Sequence, residues 1–176
     1  MRTISTFLFI FNALLVSGQY KDIPVSIEVP EGCKLMSHTY AKGVQVYICT
    51  RDPKDSLRYI WTFKEPRAEL YTDKGCHNRT GKHYFDGSKN PTWELMDKSR
   101  ISGVKVKQAG APDTSAIPWL LLKATTNGGS GKFKSVQFIQ RIRTAGGKPM
   151  EIPGIHKYGQ TLEVPYTAQY LFYSKK

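Results

Sequence analysis

The sequence predicts an all-β fold, a single antiparallel β-barrel or β-sandwich, on three observations. Apolar residues recur with a period of two, clusters of Gly, Pro, Asn and Asp separate those runs, and no segment sustains a 3.6-residue period. With 176 residues, 40% apolar and 12% aromatic, the chain has the material for one packed core and is not of disordered composition.

Residues 1–18 stand apart. Arg2 precedes Phe7-Leu8-Phe9-Ile10-Phe11 and Ala13-Leu14-Leu15-Val16, an apolar stretch of roughly ten residues that ends at Ser17-Gly18. That is the pattern of a cleavable secretory signal, and it is shorter than the roughly twenty residues a spanning helix needs. The expectation is a signal peptide over 1–18 and a single β domain over 19–176, secreted to an extracellular or periplasmic space. No later run is apolar enough to span a membrane as a helix.

The strands follow in order. Val44, Val46 and Ile48 alternate with Gln45 and Tyr47. Tyr59, Trp61 and Phe63 alternate with Arg58, Thr62 and Lys64, while Val104 and Val106 alternate with Lys105 and Lys107. Ile117–Ala124 reads either as a strand buried on both faces or as a helix opened by Pro118 and capped by Ser115. The glycines that follow so soon favour the strand. Val136, Phe138 and Ile142 share a face that Gln140 interrupts, which places Arg141 and Arg143 outside beside Lys134. The last run is the clearest, with Leu162, Val164, Tyr166, Ala168, Tyr170 and Phe172 on one side and Glu163, Thr167 and Gln169 on the other.

Several segments together resemble a known family: Tyr40–Tyr47, Pro91-Thr92-Trp93-Glu94, Ala116–Leu122, Ile139-Gln140-Arg141, Thr144-Ala145-Gly146-Gly147 and Val164–Ala168. Their order and spacing resemble the exported family catalogued as domain of unknown function 3455, over roughly residues 28–173. The resemblance implies an exported β-rich domain and brings no catalytic residue with it. Some relatives carry dehydrogenase names, and no motif here supports that activity. Relatives read Asp-Gly-Ser after the Trp-Glu motif, where this chain has Asp97-Lys98-Ser99, so the geometry of a tight glycine turn is in question there.

Charge is uneven. The net is +12, and residues 98–176 hold thirteen Lys/Arg against three acids. Such a half suits an anionic partner or simply a solvated, soluble surface. Export disfavours nucleic acid and leaves an anionic glycan or a small-molecule ligand. The three cysteines, in an exported chain, suggest one bridge and one remainder. Cys33 and Cys76 lie in Gly-flanked turns and are the expected pair, with Cys49 free.

Nucleotide and covalent-catalysis motifs fail. Asn127–Lys132 lacks the first glycine and the final Ser/Thr of a P-loop, no dinucleotide fingerprint follows a strand, and no nucleophile elbow is present, so no cofactor is expected. Cys76, His77 and His83 with Asp86 have poor metal-ligand spacing, so no metal is assigned. The candidate site is therefore His83 to Asp97. Trp93, Asp97 and His83 suit a sugar platform, and His83 with Asp97 or Glu94 suits acid–base work. Equally, Trp93 is core, His83 bonds a turn and Asp97 caps one. Gln140 ties the core or lines a barrel cavity, while Arg141 and Arg143 form a basic stripe. The resulting expectation is a monomeric exported module that binds a glycan or another anionic or sugar-containing molecule through Trp93, Asp97, His83, Gln140, Arg141 and Arg143. The alternatives are a small secreted hydrolase and a structural envelope or matrix protein.

Overall fold

The computed structural model describes residues 22–125 and 129–176, so the expected signal segment and part of the Asn127–Gly131 turn lie outside the described residues. Eight strands follow one another: β1 Cys33–Asp52, β2 Asp55–Tyr71, β3 Arg79–Phe85, β4 Pro91–Leu95, β5 Arg100–Ala109, β6 Trp119–Ala124, β7 Val136–Gly146 and β8 Thr161–Lys175. Each pairs antiparallel with the next, and β8 returns to pair with β1 from Cys33↔Lys175 to Ile48↔Thr161, which closes the barrel. Closure leaves no long sheet edge along that seam. Of the two architectures the period-two pattern allows, the chain adopts the barrel. Ile117–Ala124 contributes a strand, β6, rather than a helix. Among the described residues, no helix is long and apolar enough to cross a membrane.

Two apolar clusters lie on opposite sides of the wall. The lumen is filled at one end by Trp93, Ile101, Leu122, Ile139, Phe172 and Phe133. Phe133 comes from the 3-10 turn Gly131–Phe133 and meets Phe172 at 4.7 Å between ring centroids. Outside the wall, Trp119, Leu121, Ile142, Leu171 and Tyr173 are covered by Ile27 from the N-terminal segment, whose 3-10 turn spans Val25–Ile27. β6 is therefore apolar on both faces because both faces are covered.

Bulges set which side chains face in. In β7 the register slips between Val136 and Phe138. A bulge adds one residue and so inverts the alternation beyond it. Val136 and Ile139 both belong to the lumen, Arg141 follows inward, and Gln140 turns out with Ile142. The expected inward Gln140 and outward Arg141 are thus exchanged. In β1 the alternation is kept, and it is the row of Ala41, Gln45 and Tyr47, not that of Val44 and Val46, that faces the lumen.

The wall is uneven in height. β2 pairs with β3 only from Ala68 to Tyr71, and β4 pairs with β5 only through Thr92–Glu94. The short β3 and β4 therefore leave a notch between the tall β2 and the upper half of β5. On the far side of β2, the β1–β2 hairpin rises past the last β8 partner, Thr161.

The three cysteines are free, so the expected Cys33–Cys76 bridge is not formed. Cys76 sits in the β2–β3 loop beside Tyr40 and Ala41. Cys33 opens β1 seven residues earlier, roughly 20 Å along an extended strand. A disulfide needs its Cα atoms within about 7 Å.

Candidate functional site

The notch opens into a cavity of about 420 Å³ in the upper lumen. Six rings line it: Tyr47, Phe63, Phe85, His83, Trp93 and Tyr170. Tyr47, Phe63 and Phe85 form an edge-to-face chain with 5.6 Å between successive centroids, while His83 stacks on Trp93 at 4.6 Å. Such volume and lining are typical of small-molecule sites.

Arg141 belongs to the polar lining of this cavity, beside Gln45, Lys105 and Gln108. Its Nε and Nη2 donate to the carbonyl oxygen of Pro118 at 3.1 and 2.8 Å, which ties the β5–β6 connection over the lumen. No carboxylate among the described residues lies within ion-pair distance of it, and none lines the cavity. Around it, Gln45, Tyr166 and Tyr170 are close enough to influence one another, yet Gln45 Nε2 and both hydroxyls are buried without a partner at hydrogen-bonding distance. Buried polar groups are rarely left unpaired. Burial raises the Tyr170 hydroxyl, and the Arg141 charge pulls the other way. All of these groups can donate, and one is a permanent cation.

His83 is fully buried, and desolvation is the main cause that lowers its pKa to about 3. The Thr92 bond opposes the shift and Arg141 adds to it. Nδ1 lies 2.9 Å from the Thr92 carbonyl oxygen, an atom that only accepts, so Nδ1 carries the proton and Nε2 a lone pair.

The expected site residues divide in two. His83, Trp93 and Arg141 meet at the cavity. Asp97, Glu94, Gln140 and Arg143 lie elsewhere. Asp97 caps Ser99 in the β4–β5 turn and pairs with Lys132 at 2.9 Å; that contact and the Ser99 bonds hold its carboxyl at about 2. Glu94 faces outward, where it accepts from the Tyr84 hydroxyl at 2.6 Å. Neither carboxylate figures in the electrostatics of His83, so the acid–base pairs His83/Asp97 and His83/Glu94 are not assembled. Gln140 Nε2 donates to Ile27 O, and the Tyr173 hydroxyl donates to its Oε1, both at 2.7 Å. Arg143 reaches Asp22 at 3.5 Å on the outer surface.

Several lumen residues lie outside the His83–Asp97 run and the Gln140–Arg143 stripe. Gln45 and Tyr47 were masked by the valines beside them. Tyr166 and Tyr170 were visible, since two tyrosines on an otherwise apolar inward row signal a polar patch inside.

The family described as "Protein of unknown function (DUF3455)" matches residues 30–174. The chain belongs to this family. No curated protein and no solved structure matches it. The matched DUF3455 segment runs from just before β1 to within a residue of the end of β8, so it encompasses the whole ring. Segments that carried the resemblance converge on the lumen: Gln45 and Tyr47, Pro91 and Trp93, Ile117, Pro118, Leu120 and Leu122, and Arg141 all line the cavity. Gly147 belongs to another, and its carbonyl accepts the Tyr47 hydroxyl at 2.7 Å. The departure at Lys98 is also resolved. Lys98 takes φ 67, the left-handed conformation a glycine would adopt freely, so the tight turn is kept with a strained residue in it.

Proposed function

We propose that the chain is an exported, monomeric binding module whose lumen takes a small molecule with an apolar, ring-containing body and one anionic group. The observation that carries this is Arg141, a cation in an aromatic cavity with no carboxylate partner among the described residues. A cation partly removed from water gains most from a charge-assisted bond to an anion. Gln45 and Tyr170 supply further donors, and the rings of Phe63, Phe85, Trp93 and His83 supply faces for a flat body. An anionic small molecule fits better than a glycan, because a sugar needs many polar partners and most of this lining is carbon.

Naphthoate and its uncharged amide test the reading, followed by titration calorimetry. Wild type binds naphthoate more tightly than the amide. Arg141→Met weakens naphthoate by roughly ten- to a hundredfold, as expected for one lost bond to a charged group, and leaves the amide little changed. Equal binding of both probes, or an unaffected Arg141→Met, would overturn it.

A further inference from the structure

Leu57 at the β1–β2 hairpin and Met150, Ile152, Ile155 and Tyr158 in the β7–β8 loop are large apolar side chains that stand 61–87% exposed. Scattered singly they would need no explanation. Leu57, Ile152 and Ile155, however, share one groove, and Tyr59 touches Tyr158 at 6.0 Å between rings. The Trp61 indole holds the loop against the hairpin by donating to Glu151 O at 2.8 Å. Arg51 and Arg58 line the same groove and no acid does. The nearby acids are engaged: Asp52 and Asp55 cap the hairpin backbone, and Glu151 pairs with Lys157.

The geometry points to a docking surface for an anionic lipid interface, made by the hairpin tip and the β7–β8 loop. Aliphatic side chains projecting from a tip, tyrosines just below them and arginines between them make the composition that settles at a headgroup boundary. The positive groove matches the surface charge of anionic leaflets. This inference does not depend on what the lumen holds, yet the two sites are connected. Leu57, Tyr59, Trp61 and Phe63 lie on one side of β2, and Phe63 is at the notch. An apolar strip therefore leads from the docked tip to the cavity.

Co-sedimentation with vesicles tests it. Full-length protein should pellet with phosphatidylserine–phosphatidylcholine vesicles, fail to pellet with phosphatidylcholine alone, and release at high salt. A Leu57→Glu/Ile152→Glu variant changes only exposed positions, so it should keep the wild-type melting temperature while its vesicle affinity falls at least roughly tenfold. Arg141→Met should pellet as wild type does, which separates failure here from failure of the lumen reading. Wild type left in the supernatant with anionic vesicles would overturn the proposal, as would a double variant that still pellets. Self-association through this surface without vesicle binding would assign it to a second copy instead.

Discussion

His83 shows how a residue chosen for one chemistry serves another. Its position in an aromatic stack makes it a neutral hydrogen-bonding group, because burial holds its pKa near 3 against an ordinary 6.5. The unfolded chain binds a proton at His83 across that interval and the folded chain does not. Stability from this group is therefore full above about pH 6.5 and is lost as pH falls toward 3. Urea denaturation at successive pH values should show wild type losing stability below pH 6.5, with His83→Phe losing less between about pH 6.5 and 4.5. A parallel decline in both proteins would show that His83 is not the group responsible. Trp93 and His83 were legible as a pair because they sit in one short run of polar and aromatic residues. Asp97 and Glu94 belong to the same run, and only the pairing of β3 with β4 shows that Glu94 shares a register with Lys82 on the outer face. Adjacency in sequence gave the neighbourhood, and strand pairing decided the partners.

At the scale of elements, alternation located the strands and bulges reassigned their faces. The last strand has a clean inward row, and there the reading from sequence and the observed lumen agree. β7 has a slip at Gln137, which no period-two count reveals, and it moves Arg141 from the surface to the lumen. The same slip makes Gln140 a latch. Its side chain bridges Ile27 and Tyr173, so one buried hydrogen bond ties the N-terminal segment to β7 and a second, from Tyr173 of β8, holds the Gln140 amide in place. Gln140→Ala should cost about 1–3 kcal/mol. Amide exchange should speed up in residues 23–29, while the β1–β8 seam keeps its protection. Uniform loss of protection across the barrel would mean that the latch is part of the global fold rather than a local clasp. The segment 23–29 was not legible as an element at all, because its single buried anchor, Ile27, has no periodic neighbours.

For the molecule as a whole, the seam between the first and last strands is the decisive contact. The alternation and turn signals announced a closed or doubled sheet without choosing between them, because closure depends on β1 and β8 meeting, more than a hundred residues apart. A chain stopped at Gln160 should lose the cooperative thermal transition, since β7 and β1 would each present an open edge and the lumen core would lack Tyr166, Tyr170 and Phe172. A two-state melt of that fragment would show that seven strands suffice.

The order of synthesis gives that seam a temporal meaning. β8 is the last of the eight strands to be made, and the ring cannot shut without it. While the chain is still on the ribosome, its first seven strands form at most an open sheet, and the slow, long-range step comes at the end. Folding of this barrel is therefore timed to the completion of β8. Until β8 is made, the nascent chain stays loose and the edges of β1 and β7 stay open.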